Sequence, residues 1–373
     1  MRDHDLKRIL FRLIFSLLLI SVSTFGAYKY CIQDIEFGGL VDQVKRSKLI
    51  KSPQYNEDHF ENTPTKLGYS LWPILQDFLG GQQRLPPSSL PILVPQWSDS
   101  PSQALKVYWL GHATVLIELE GKRIITDPML SQYSFPIHML APKRYSRSPI
   151  KPNRLPKIDF AVISHDHFDH LDLQTVKYLS KEGTHFFVGL GVGVHLEAWG
   201  VPMAQIHEHD WWDQIKFKGI DIHCTPARHY SGRKAIDNST LWTSWLIKGQ
   251  QYSVFHSGDT GYGSHFKEIY KRLGAVDLTL MKIGDYGLDL GWQDIHMTPE
   301  QSVKAHQDLH AKIFLPIHWG TFNLSYHAWD EPIIRALKSA NRSGIALVAP
   351  MMGQAYSFGD PIRVRQWWTT LDD

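Results

Sequence analysis

Short apolar runs closed by polar or small residues recur from residue 106 onward, and their spacing predicts most of the elements. Val107-Tyr108-Trp109-Leu110 reads as a strand. Val115–Leu119 and Lys122–Thr126 read as a pair joined by a turn at Glu120-Gly121. Phe160-Ala161-Val162-Ile163 is apolar throughout and predicts a buried strand; His185-Phe186-Phe187-Val188 predicts another. Between them Leu173, Val176 and Leu179 recur at helical spacing. The second half repeats this pattern. Residues 214–226 read as a hairpin, 241–247 and 252–256 as antiparallel strands, His265–Leu273 as a helix, and 277–283 and 313–316 as strands. Thr298-Pro299-Glu300-Gln301 opens a helix with a capping box and proline at its first position. Strand runs with flanking helices in both halves predict an α/β fold, an αββα sandwich of two mixed sheets with outer helices.

The pattern also divides the chain: residues 1–31, 32–104, 105–358 and 359–373. Lys7, Arg8 and Arg12 precede an apolar run from Leu13 to Tyr28, with Lys29 beyond it. A bilayer needs roughly 17–25 such residues, so 1–31 reads as an uncleaved membrane anchor. A cleaved signal peptide, cut near Ser21-Val22-Ser23 or Thr24-Phe25-Gly26, is the alternative, and a loosely attached amphipathic helix a third. The basic flank keeps the N-terminus cytoplasmic and sends the rest to the other side, periplasmic if the membrane is an inner one. Residues 32–104 read as a loop-rich lead-in packing on the main domain, with one short helix over 71–79 ended by Gly80-Gly81. Residues 359–373 read as a tail.

Composition adds limits. A chain of 373 residues with 43% hydrophobic content can bury a sizeable core. A net charge of +2 makes no electrostatic case for nucleic acid. The two cysteines, Cys31 and Cys224, exclude a disulfide framework and a cysteine metal site.

The densest chemistry directly follows the Phe160-Ala161-Val162-Ile163 run. Ser164-His165-Asp166-His167-Phe168-Asp169-His170-Leu171 carries His165, His167, Asp169 and His170 in the pattern H-x-H-x-D-H. A strand ending this way places ligands at its C-terminal edge, where α/β proteins build sites. Three more candidates stand at predicted strand ends: His229 after Ala227-Arg228, Asp259 in Ser257-Gly258-Asp259-Thr260-Gly261, and His318 after Pro316-Ile317. Taken singly, each histidine has a packing explanation and Asp259 an Asx-turn explanation. Taken together they complete an all-nitrogen and oxygen donor set for two metal ions.

The cluster followed in order by His, Asp and His resembles the metallo-β-lactamase superfamily. The resemblance implies that His165, His167 and His229 hold a first metal, that Asp169, His170 and His318 hold a second, and that Asp259 bridges. It implies two Zn2+ ions, with Mn2+ as alternative, and a metal-bridging hydroxide as nucleophile. Asp127 would orient a ligand imidazole; a turn carboxylate is its other reading. Asp259 stands where β-lactamases of this fold place a cysteine, which argues against β-lactam hydrolysis.

Longer stretches are similar to the N-acylphosphatidylethanolamine-hydrolysing phospholipase D family and its bacterial relatives. They are Trp109-Leu110-Gly111-His112-Ala113-Thr114, Thr126-Asp127-Pro128, Ala141-Pro142-Lys143-Arg144, Arg147-Ser148-Pro149, residues 163–172, Asp210-Trp211-Trp212, Ser257-Gly258-Asp259-Thr260-Gly261-Tyr262 and Ile317-His318-Trp319-Gly320-Thr321-Phe322. This resemblance implies a phospholipase D-type phosphodiesterase acting on a phospholipid, with the membrane approached through the N-terminal segment and no nucleic-acid partner. It casts Asp169, Asp259 and His296 in catalysis, His296 lying near the phosphodiester to stabilise charge or protonate the leaving alkoxide. Phe168 stands where the animal enzyme has a tyrosine. Relatives are generally intracellular, so the charge argument for a periplasmic domain has a rival. A lactonase or other acyl hydrolase of the same fold is the competing activity, a nuclease a third, and a non-catalytic metal-binding envelope protein the reading from a different class.

Overall fold

The computed structural model describes residues 35–62, 84–139, 141–233, 238–287, 292–362 and 364–371. The lead-in is more ordered than its composition suggests. It holds a helix, α1 (Gln43–Leu49), and a small hairpin, β1 (Tyr55–Asn56) with β2 (His59–Phe60). Asp42 caps α1 by accepting from the Lys45 N–H. Leu49 and Phe60 are buried with Ala227, Leu241 and Trp242 in a satellite core. The 71–79 helix and the 1–31 anchor lie outside the described residues. Among the described residues, no helix is long and apolar enough to cross a membrane.

The first half builds one sheet from β3 (Lys106–Trp109), β4 (Val115–Leu119), β5 (Lys122–Thr126), β6 (Phe160–Ile163), β7 (His185–Gly189) and β8 (Ile206–His209). Strands β3 to β5 run antiparallel and β5 to β8 parallel. The second half builds the other from β9 (Gln214–Phe217), β10 (Ile220–Thr225), β11 (Ser244–Lys248), β12 (Ser253–His256), β13 (Leu278–Lys282), β14 (Ile313–Ile317) and β15 (Ala346–Leu347). Here too an antiparallel set, β9 to β12, passes into a parallel one, β12 to β15. The last strand, β16 (Ala355–Ser357), returns to the first sheet and pairs with β3.

Strand periodicity explains the layering. Val107 and Trp109 of β3, and Val115, Ile117 and Leu119 of β4, enter the core shared with Ile222, Trp245, Phe255 and Leu280 of the other sheet. Tyr108 and Leu116, pointing the opposite way, pack under α2 (Leu173–Lys181) and α3 (Gly193–Ala198) with Val176, Leu179 and Leu196. On the far side α4 (His265–Leu273), α5 (Pro299–Asp308) and α6 (Glu331–Arg342) cover the second sheet through Phe266, Ile269, Val303, Ile333 and Ala336. The two mixed sheets with outer helices are the predicted sandwich. Thr298 and Gln301 form the expected capping box at α5.

Two local expectations need revision. Strand β11 begins at Ser244, not at 241, because the preceding backbone pairs elsewhere: Leu241 N–H donates to Leu190 O and Thr243 N–H to Ser164 O, both at 2.8 Å. Those bonds tie the second half to the strand ends of the first. The stretch read as a tail buries Trp367 and Trp368 against Trp319, with Trp367 also beside Trp109.

Candidate metal centre

All seven sequence candidates converge at one end of the sandwich. The loop after β6 carries His165, His167, Asp169 and His170; His229 follows β10, Asp259 follows β12, and His318 follows β14. His165 Nε2 stands 2.9 Å from His167 Nδ1, which stands 3.2 Å from His229 Nε2. His170 Nε2 is 3.1 Å from His318 Nε2 and 3.4 Å from Asp169 Oδ2. Asp259 touches both groups: Oδ2 lies 3.5 Å from His170 Nε2 and 3.9 Å from His229 Nε2, and Oδ1 lies 3.1 Å from His318 Nε2.

The donor set fits metal ions on three counts. Ligands about 2.0–2.1 Å from a tetrahedral zinc stand roughly 3.4 Å apart, close to the spacings here. Asp259 Oδ1 is buried without a hydrogen bond among the described residues, an orphan a cation would satisfy. The protonation states of His165, His229, Asp169 and Asp259 also suit coordination; at His170 and His318 burial opposes the charge, but Asp259 and the neighbouring carboxylates raise both above the ordinary histidine range, so a bound cation would displace a proton there. Burial, with neighbouring imidazoles, holds His165 and His229 neutral, well below the ordinary histidine range. Burial alone would raise Asp169 and Asp259, but the neighbouring imidazoles, joined at Asp259 by Lys282, keep both carboxylates well below theirs.

A shell of bonds fixes these side chains from behind. Asp127, at the end of β5, accepts from Ser164 N–H at 2.7 Å, Ser164 Oγ at 2.8 Å, His170 Nδ1 at 2.8 Å and His256 Nε2 at 2.7 Å. Burial opposes its charge, yet His256 and His170 hold the carboxyl far below its usual range. Ser164 Oγ in turn lies 2.8 Å from His165 Nδ1. Backbone strain collects here. His112, Asp127, Asp285 and His318 all have left-handed φ values, of 52°, 33°, 55° and 62°.

Three residues escaped the sequence reading of the site. His112, quoted there only within a longer stretch, sets Nε2 2.8 Å from Asp169 Oδ2, its ring 3.8 Å from that of His318. Burial, then His318, pulls its pKa down to about 3, so it is a neutral donor to Asp169. Asp285 Oδ2 lies 3.3 Å from His318 Nδ1, near the ring but off the N–H line. Lys282 is wholly buried, its Nζ against His296 Nδ1 and 4.0 Å from Asp259 Oδ1. A charge interrupting the apolar run Leu278-Thr279-Leu280-Met281 was the available signal for it.

His296 itself sits beside the cluster, with Nδ1 3.7 Å from Asp259 Oδ2. Its loop is docked on the ligand loops: Met297 N–H donates to Thr260 O at 3.0 Å, His229 Nδ1 lies 3.2 Å from Ile295 O, and Arg228 pairs with Asp294 at 3.1 Å. A cavity of about 260 Å3 opens beside Phe168, walled by Met129, Phe135 and Pro136 together with Glu36, His138, Asp172 and Arg233.

Residues 122–319, a span that contains every one of these ligand candidates, match the family model described as a beta-lactamase superfamily domain. The chain belongs to the metallo-β-lactamase superfamily. It is a metal-dependent hydrolase of that superfamily, with a candidate His/Asp metal-binding cluster. An uncharacterized protein of Mycobacterium tuberculosis is 37% identical over 87% of this chain and 89% of its own length. An N-acyl-phosphatidylethanolamine-hydrolyzing phospholipase D of Caenorhabditis elegans is 35% identical over 68% of this chain and 75% of its own. Among solved structures, a metallo hydrolase of Ignicoccus hospitalis shares the fold with a TM-score of 0.52 at 23% identity, over 69% of this chain and all of its own.

Proposed function

We propose that this superfamily member is a phosphodiesterase of phospholipase D type acting on N-acylphosphatidylethanolamine or a related phospholipid. The observation that carries the reading is the similarity to the nematode phospholipase over two thirds of the chain, a stretch long enough to include the ligand loops. In this reading His165, His167 and His229 would hold one ion, Asp169, His170 and His318 the other, and Asp259 would serve both. When bound, a zinc pair supplies an activated water at neutral pH and charge for the phosphoryl oxygens. His112 holds Asp169 in place, and Asp127 with Ser164 orients His170 and His165. His296, beside Asp259, donates to an oxygen of the phosphodiester.

The test is zinc-loaded full-length protein incubated with vesicles of N-acylphosphatidylethanolamine and, separately, with a lactone panel. Release of phosphatidic acid is the expected result. Lactone hydrolysis with intact phospholipid overturns the proposal and installs an acyl hydrolase in its place.

A further inference from the structure

Lys282 ends β13 with no exposed surface. Lysine is almost never fully buried unless its charge is met. The backbone around it is fixed, since Lys282 N–H donates to Ser257 Oγ at 3.0 Å and its carbonyl accepts from Ser302 Oγ at 2.5 Å. The side chain runs into the metal end of the sandwich. Its Nζ meets His296 Nδ1 and stands 4.0 Å from Asp259 Oδ1, too far for a hydrogen bond.

The Asp259 carboxylate 4.0 Å away favours the ammonium form of Lys282, which has three N–H donors and no acceptor, so in this contact Nδ1 of His296 accepts. A neutral imidazole whose Nδ1 accepts carries its proton on Nε2. Nε2 makes no hydrogen bond among the described residues and is not among the buried unpaired atoms. It is therefore the nitrogen left to face a bound molecule. The other tautomer would set an Nδ1 proton against the Lys282 ammonium and present a bare lone pair at Nε2. Capping Nδ1 has a second effect. His229, Asp259 and His296 are close enough to hold an ion by themselves, and with Nδ1 bonded to lysine and Nε2 carrying the proton neither ring nitrogen of His296 offers that set a lone pair.

We propose that Lys282 is a positioning residue: it fixes His296 as the Nε2–H tautomer, a donor to substrate oxygen, and keeps that histidine out of the metal cluster. The proposal rests on reading His296 as the group that meets the phosphodiester. It goes further by naming what gives His296 its polarity.

The first measurement is nitrogen-15 NMR of the histidine rings in full-length, zinc-loaded protein. His296 is expected as the Nε2–H form, shifting toward a mixture in Lys282→Met. A wild-type Nδ1–H form, or a tautomer indifferent to Lys282→Met, overturns the proposal. The second is a double-mutant cycle on phospholipid turnover with Lys282→Met and His296→Ala. Each single change is expected to lower kcat by about 10- to 100-fold with KM little moved. The double variant is expected to be no worse than His296→Ala, whereas losses that multiply overturn the proposal. Zinc content should stay unchanged in His296→Ala and rise or redistribute in Lys282→Met; wild-type content in Lys282→Met overturns the withholding of His296. Full activity in His296→Ala would remove the substrate-contact reading alone, because the tautomer measurement judges Lys282 without reference to turnover.

Discussion

The two halves of the sandwich share a plan but supply the site in different ways. Each runs an antiparallel set into a parallel one. The first half delivers His165, His167, Asp169 and His170 from one loop after β6. The second delivers His229, Asp259 and His318 singly, from the ends of β10, β12 and β14. A loop of six residues keeps its ligands together by chain length alone. Three strand ends stay together only if sheet register and helix packing hold. The first half should therefore tolerate distant damage better than the second, and the residues that join the halves should be the most sensitive of all.

Asp259 is the strongest such joint, because its two oxygens face ligands of both halves. Asp259→Asn is expected to lower kcat/KM by about 10^3-fold or more and to weaken both ions. Asp169→Asn, confined to one group, should release chiefly one ion. Zinc content by mass spectrometry beside turnover distinguishes them. Equal losses of metal in the two variants would break the comparison.

The same contrast explains what the sequence revealed. The H-x-H-x-D-H loop was legible because its ligands are neighbours in the chain, and a strand of four apolar residues announced where they sit. His229, Asp259 and His318 were legible only as an ordered set, since a single histidine at a strand end carries no mark of what it faces. Lys282 and His112 act through contacts between residues far apart in the chain, 14 positions for Lys282–His296 and 57 for His112–Asp169. No local pattern encodes such a meeting. The late start of β11 was hidden for the same reason: Leu241 and Trp242 are as apolar as a strand demands, and only the bonds of Leu241 and Thr243 to the first half show otherwise.

Gly258 joins the halves sterically. Its φ is 53°, and a Cβ there would lie 2.4 Å from the Ser164 Cβ and 3.0 Å from Thr243 O. Ser164 is the residue that orients His165, so the two halves press together at this glycine. Gly258→Ala is expected to cost roughly 3 kcal/mol, combining the left-handed backbone with overpacking. Urea unfolding measures the stability loss. Gly200→Ala, also at positive φ but with open space around it, should lose only the backbone share, about 1–2 kcal/mol. Asp127→Asn tests the joint by hydrogen bonding, as its carboxylate serves Ser164 and His170 of one half and His256 of the other. Metal affinity or activity should fall about 10- to 100-fold with the fold intact, read by zinc titration and circular dichroism.

His306 tests the support of the second half through a group that is not itself a ligand. His306 lies on α5, buried, with Nδ1 2.7 Å from Thr279 Oγ1 of β13, and burial pulls its pKa down to about 4. The unfolded chain titrates near 6.5, so below that pH it binds a proton the folded form refuses. Stability from this group is thus fully present above pH 6.5 and lost as pH falls toward 4. Between pH 7 and 5.5 the loss is about 1 kcal/mol. His306→Gln, which gains no charge, should flatten that part of the pH dependence when urea midpoints are compared at the two values. Hydrogen exchange at pH 5.5 should rise in β13 and β14 before β6, because α5 braces only the second sheet. Equal opening of β6 would mean that the two halves yield together, and that the joints at Asp127, Gly258 and Asp259 couple them more tightly than their separate ligand supply suggests.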